Sequence, residues 1–244
     1  MKTSRPPRTA EERGAWRQGV AVAVATSAYG VSFGALAVAA GLDVWQTCVL
    51  SLVMFTGGSQ FAFIGVIASG GLAAAPSAIA SAVLLGARNV AYAVRMSPVV
   101  GGSWWRRVAA AQFTIDESTA VALAHAEPRA RRIGFWVTGV GIYLGWNAAT
   151  LAGALLGDVL GDVRAYGLDA AAAAAFLALL WPRLRSRQAV AVGAAAAVVA
   201  AALTPWLMPG MPVLIAALVA IAVGWFDWLG RSPQGHRAAR GDAP

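Results

Sequence analysis

Residues 55–61 read Phe-Thr-Gly-Gly-Ser-Gln-Phe, between the apolar runs "VWQTCVLSLVM" and "AFIGVIAS". Two glycines, two hydroxyls and an amide at the middle of so oily a segment need a physical reason. As one continuous helix, residues 44–69 would measure about 37 Å at 1.5 Å per residue, enough to cross a bilayer core of about 30 Å with some tilt. The polar cluster then falls near the midplane, where unsatisfied backbone groups are costly unless they are buried in protein or line a wet cavity. The pair Gly57-Gly58 lets the backbone leave the helical ladder, and Ser59 and Gln60 then start a second half-helix whose free amides attract a carboxylate. Close packing of small residues accounts for the glycines alone. The Thr, Ser and Gln beside them are more polarity than packing requires.

The rest of the chain supports a membrane setting. Of 244 residues, 59% are hydrophobic and only 12% charged, against about a quarter charged in a soluble domain. The fold class expected is all-α, a polytopic transmembrane bundle of seven to eight spans with a broken helix at Gly57-Gly58. The excess of 19 Lys+Arg over 11 Asp+Glu lies in short clusters at the ends of apolar runs. That distribution fits the positive-inside rule and excludes nucleic acid as a partner. The lone Cys48 sits in an apolar run, which rules out an internal disulfide. No His/Cys/carboxylate spacing suggests a metal, and no cofactor is expected.

Apolar segments bounded by Gly, Pro and Arg fall at roughly 18–40, 44–69, 72–96, 105–124, 133–156, 167–181, 188–207 and 211–229. They make residues 18–229 a transmembrane domain, flanked by a basic leader (1–17) and a polar tail (230–244). Arginines of the leader, of the links at Arg129, Arg131, Arg132 and at Arg183, Arg185, Arg187, and of the tail place both termini in the cytoplasm. One cluster conflicts with eight crossings: Arg95, Arg106 and Arg107 would lie outside. The conflict disappears if "QFTIDESTAV" or 44–69 does not fully span. A faint echo, Gly-Leu-Asp at 41 and 167 and Gly-Ala-Leu at 34 and 153, makes repeats over 18–124 and 133–229 a candidate.

Two further clusters carry chemistry. In "LLGARNVAYAVRMSP", Arg88 and Asn89 sit within an apolar span with Tyr92 one turn on. An arginine at such depth faces the bundle interior, toward a substrate carboxylate or an acidic side chain, while Arg95 snorkels to the surface. Asp116-Glu117 in "FTIDESTA" reads as an ammonium site, a proton relay or a partner of Arg88. Alternatively the pair lies at a membrane surface near Trp104, Trp105 and Arg106. Trp146 and Asn147 in "YLGWNAATLAG" are candidates to line the same cavity, with Phe55, Phe61 and Phe63 as oily walls. Asp169 reads as a helix cap, and His125 and His236 as surface residues.

The motifs "FTGGSQFAFIG", "ARNVAYAVRMSP", "QFTIDESTAVA" and "GLDAAAAAAF", in that order, resemble the AzlC family, the large subunit of branched-chain amino acid exporters. Where that family commonly has Phe-Ala-Gly-Ala-Ser-Gln, this chain has Phe55-Thr56-Gly57-Gly58-Ser59-Gln60. Where it has Asn-Leu-Arg-His, this chain reads Ala87-Arg88-Asn89-Val90, without the histidine. The resemblance implies an inner-membrane permease, not an enzyme, that exports leucine, isoleucine, valine or analogues on the proton-motive force with a small four-span AzlD-type subunit. In that setting Phe55, Gly57, Gly58, Ser59, Gln60, Arg88, Asn89, Tyr92, Trp146 and Asn147 are the expected substrate-binding residues. Asp116 and Glu117 are the expected proton-coupling or ammonium-binding pair. The alternatives are an exporter or channel for another small zwitterion, or a Ser-dependent intramembrane hydrolase. The hydrolase lacks a base, since neither histidine sits in an apolar span.

Overall fold

A computed structural model describes residues 9–160, 177, 180–181 and 184–226. The chain forms two compact units, Met1–Ala175 and Phe176–Pro244. In the first unit the helices are α1 (Ala10–Ala39), α2 (Val44–Val53), α3 (Gly57–Gly70), α4 (Ala75–Gly86), α5 (Arg88–Val100), α6 (Trp104–Gln112), α7 (Asp116–Leu123) and α8 (Pro128–Leu160), with a 3-10 turn over Leu72–Ala74. The second unit contributes α9 (Arg187–Leu203) and α10 (Met211–Phe226). Among the described residues there is no strand. Most of the expected span at 167–181, with Asp169 and the second Gly-Leu-Asp, and the tail with His236 lie outside the described residues.

Among the described residues, three stretches are long and apolar enough to cross a membrane: Ala10–Ala39, Leu72–Val100 and Pro128–Leu160. The first and third pack side by side through small residues. On α8, Gly141, Gly145, Ala149, Gly153 and Gly157 recur every four residues, along one face. A β-carbon on Gly141 would meet Ala23, one on Gly145 would meet Ser27, and one on Gly157 would meet Ala35. On Gly153 it would overlap the carbonyl of Val31, and on Gly34 that of Thr150. Partner numbers rise together, so the two helices are parallel, with backbones in contact as small-xxx-small packing allows. The echoing segments at Gly34 and Gly153 are therefore neighbours.

Parallel packing sets two positive helix ends side by side, and acidic residues answer both. Thr9 and Glu12 form a capping box on α1. Glu11 Oε1 accepts from the amides of Ala126 (2.6 Å) and Glu127 (3.0 Å) at the start of α8. In return, Thr9 Oγ1 donates to Glu127 Oε2 at 2.9 Å. Those two amides hold the Glu11 carboxyl below its ordinary pKa. Buried Glu12 has its Oε1 2.9 Å from Arg129 Nε, an ion contact off hydrogen-bond alignment. His125, expected at the surface, is half-buried against α1, with Nε2 3.1 Å from Gln18 Oε1.

The segments 44–69 and 105–124 do not run straight through; each is a hairpin of two short helices. Asp43 caps α2, which then runs back along α8, with Ser51 Oγ 3.4 Å from Thr150 Oγ1. After a break at 54–56, α3 starts against Trp146, passes Phe33 at Phe61 (ring centroids 5.8 Å apart) and ends with Val66 and Ile67 packed on Ala40 and Leu42. It has returned to the end of the bundle from which α2 came. The second hairpin enters from the other end, where Arg132 Nε donates to Val99 O at 3.1 Å. Here α6 climbs until Gln112 reaches Leu52, the chain breaks at 113–115, and α7 goes back, with Val121 on Gly134 and Ala122 beside Phe135. Ten-residue α2 and nine-residue α6 each reach about 15 Å, half of a hydrocarbon core. Their tips meet at Tyr143, midway along α8.

Candidate functional site

At the first tip the backbone is satisfied from one side only. The last carbonyls of α2 have lost their helical partners, and side chains replace them. Gln60 Nε2 donates to Met54 O (2.6 Å) and Ser51 O (3.4 Å), while Gln112 Nε2 donates to Leu52 O (3.0 Å) and Val53 O (3.5 Å). Tyr143 Oη also donates to Leu52 O, at 3.3 Å. Gln60 in turn accepts at Oε1 from Trp146 Nε1 at 2.8 Å, so this fully buried amide closes the tip.

The other side of the break is left open. The helix α3 restarts at Gly57, two residues before the expected Ser59, and Thr56 supplies no side-chain cap. The first turn of this 14-residue helix therefore presents the amides of Gly57, Gly58 and Ser59 with their positive partial charge. Gly57 lies under the Trp146 ring: a β-carbon there would be 3.2 Å from Cη2. Ser59 Oγ is buried with no protein hydrogen-bond partner among the described residues.

Arg88 faces this opening. It is the first residue of α5, at the joint where α4 gives way to α5 at Ala87. A β-carbon on Gly58 would lie 3.2 Å from its Nη2. Its Nε donates to Asp116 Oδ1 at 3.0 Å, with the two side chains 30% and 22% exposed. Asp116 opens α7 at the second tip, where a carboxylate suits the helix dipole. One guanidinium thus ties the start of α3 to the start of α7.

The second tip is built from hydroxyls rather than glycines. Thr114 Oγ1 donates to Ala110 O (2.8 Å), Ser118 Oγ donates to Phe113 O (2.7 Å), and Ile115 N donates to Ser118 Oγ (3.1 Å). Tyr143 packs edge-on against Phe55 (4.9 Å) and Phe113 (5.4 Å), joining the two tips. Neither Tyr143 nor Gln112 stands out in the sequence, because an aromatic or an amide capping a remote carbonyl leaves no local pattern.

The other expected residues divide. Trp146 belongs to the tip through Gln60 and Gly57. Asn147 donates to Tyr143 O on its own helix at 2.7 Å, and Phe55 is buried in the aromatic chain. Asn89 follows Arg88, with its Oδ1 buried and unpartnered among the described residues. Tyr92 and Glu117 are half-buried and have partners. Among the described residues, no group of three His, Cys, Asp or Glu is placed to hold a metal.

Among the described residues, three long apolar stretches and two broken hairpins that meet at a partly buried ion pair define a polytopic helical membrane protein. The chain belongs to the AzlC protein family, whose model matches residues 21–160, all within the first unit. That membership is consistent with a membrane transport role rather than an enzyme. No curated protein and no solved structure matches the chain.

Proposed function

We propose that this protein is an inner-membrane permease that exports leucine, isoleucine, valine or their analogues, driven by the proton-motive force, with a small four-span AzlD-type subunit. The observation that carries the reading is Arg88, set between the open amides of α3 and the carboxylate of Asp116. An amino acid is a zwitterion. Inserted into this ion pair, it gives its carboxylate to Arg88 and the Gly57–Ser59 amides and its ammonium to Asp116, which keeps the site neutral. Neutrality matters, since an uncompensated charge at this depth costs at least about 2.5–3.5 kcal/mol. Phe55, Phe61 and Phe63 are the oily residues nearest the tip in sequence, and Glu117 is held as the neighbouring proton carrier. A Ser59 hydrolase has no support, because Ser59 Oγ has no base in hydrogen-bond contact among the described residues.

The hairpins also reconcile the charges. With 44–69 and 105–124 both turning back, Arg95, Arg106 and Arg107 fall on the same side as the leader and Arg129–Arg132, which we assign to the cytoplasm. Both termini are assigned to that side on the arginine clusters of the sequence alone. The test is resistance to toxic leucine analogues and counterflow of labelled leucine in vesicles. Conservative replacement of Gly58, Arg88 and Asp116 is expected to abolish both. Unchanged resistance and counterflow in all three variants would sink the site assignment.

A further inference from the structure

A cavity of about 120 Å³ lies between α5 and α6, below the tips and away from α3. Ala93, Met96 and Ser97 line it from α5, Arg107 and Ala111 from α6, and Thr114 from the second tip. The two ends differ in character. Arg107 is exposed near the start of α6, at the end of the bundle that carries Thr9 and Glu127. Thr114 is buried and lies two residues before Asp116, and Ala93 is five residues along α5 from Arg88, about 7.5 Å at helical rise. The cavity therefore points from that end of the bundle toward the ion pair. At the other end of the bundle Val66, Ile67, Ala74 and Ala78 form a buried cluster with Phe63 and Leu42.

We propose that this cavity is the vestibule by which a carboxylate-bearing substrate reaches Arg88 from the Thr9–Glu127 face, with Arg107 at its mouth drawing in the anionic group. The walls are small or flexible, so a branched aliphatic side chain can pass: an apolar cavity of about 150 Å³ admits benzene. A guanidinium in a narrow, low-dielectric mouth concentrates anions and raises their entry rate. The inference rests on the Arg88 site proposed above, but its test needs no transport.

Cys48 is the chain's one cysteine, so Cys48→Ser gives a clean background. In it, Ala111→Cys and Thr114→Cys are each treated in sided vesicles with membrane-impermeant methanethiosulfonates, and Thr9→Cys reports the side. Both cavity positions are expected to react from the Thr9 side only. The anionic reagent is expected to lose roughly tenfold of its rate relative to the cationic one when Arg107→Gln is added. Reaction at 111 but not at 114 makes the cavity a blind pit and overturns the proposal, as does reaction from the opposite side. A charge preference untouched by Arg107→Gln removes Arg107 from the mouth. If sided labelling holds but leucine counterflow is absent, the vestibule stands and the choice of cargo falls.

Discussion

Arg88 Nε and Asp116 Oδ1 stand 3.0 Å apart, joining the start of α5, where the stretch Leu72–Val100 is interrupted at Ala87, to the tip of the second hairpin. Both groups keep part of their surface open, so neither bears the full penalty of a dry buried charge. A ligand can therefore compete for either partner without first unfolding the pair. The pair links two hairpins that are otherwise held together by aromatic edges and by amides on stray carbonyls, so its occupancy bears on their relative position.

Gln60 is expected to matter for stability before it matters for transport. Replacing it with Leu strips the donor from Met54 O and Ser51 O and the acceptor from Trp146 Nε1. Each buried group left unsatisfied costs about 1–3 kcal/mol. A clear drop in the thermal midpoint in detergent is expected for Gln60→Leu. Gln60→Glu, which keeps an acceptor for Trp146 but sets an unpaired charge against the two carbonyls at a fully buried position, should fall at least as far. Equal midpoints for wild type and Gln60→Leu would mean that the amide does not hold the tip.

The α1–α8 seam gives an internal contrast between glycines. A β-carbon on Gly153 would overlap the Val31 carbonyl, whereas on Gly14 its nearest neighbour is His125 Cε1 at 3.9 Å. Gly153→Ala is expected to destabilise by at least the 1–3 kcal/mol or so typical of overpacking. Gly14→Ala should be neutral or gain up to about 1 kcal/mol of helix propensity. Midpoints of the two variants, measured side by side, decide it, and a tolerated Gly153→Ala would refute backbone contact at that height.

How much of this was legible varies from residue to residue. The first break is signalled by Gly57-Gly58 and the polar residues around them, but it falls just before the expected pair, at 54–56, with both glycines in the first turn of α3. That the chain turns back there is not written locally, because a kink and a re-entrant tip need the same residues. The direction lay instead in the misplaced charges of Arg95, Arg106 and Arg107, which no continuous crossing satisfies. The second tip at Phe113-Thr114-Ile115 has neither Gly nor Pro. Its cause, Ser118 and Thr114 bonding back to the main chain, is indistinguishable in sequence from ordinary hydroxyls on a helix. The pairing of Arg88 with Asp116 was one of several open partners, and only the meeting of the two tips selects it.

The interlocked starts of α1 and α8 predict an acid-labile joint. The Glu11 carboxyl is held below its ordinary value mainly by the amides of Glu127 and Ala126. A folded-state pKa below the unfolded one contributes stability that is present above the unfolded value and lost as pH falls through the folded value. Wild type is therefore expected to lose midpoint between neutral pH and about pH 3, while Glu11→Gln starts lower and loses less over the same range. Parallel pH profiles for the two proteins would show that the carboxylate is not the group that links these helix ends.

The last prediction separates a structural ion pair from a substrate-binding one. Replacing both partners at once, as Arg88→Gln with Asp116→Asn, leaves no lone buried charge, so the double variant should fold with a midpoint near that of wild type. If the pair only braces the tips, transport should survive as well, because two neutral amides can still hydrogen-bond. If a zwitterion is inserted between the two charges, the variant loses a charge-assisted contact at each end of the ligand, each about 1.5–3 kcal/mol. Leucine counterflow should then fall by roughly a hundredfold or more at limiting substrate, with the protein still folded. A folded double variant that transports at the wild-type rate would reduce Arg88 and Asp116 to a strut, and the search for the carboxylate site would move to the Gly57–Ser59 amides alone.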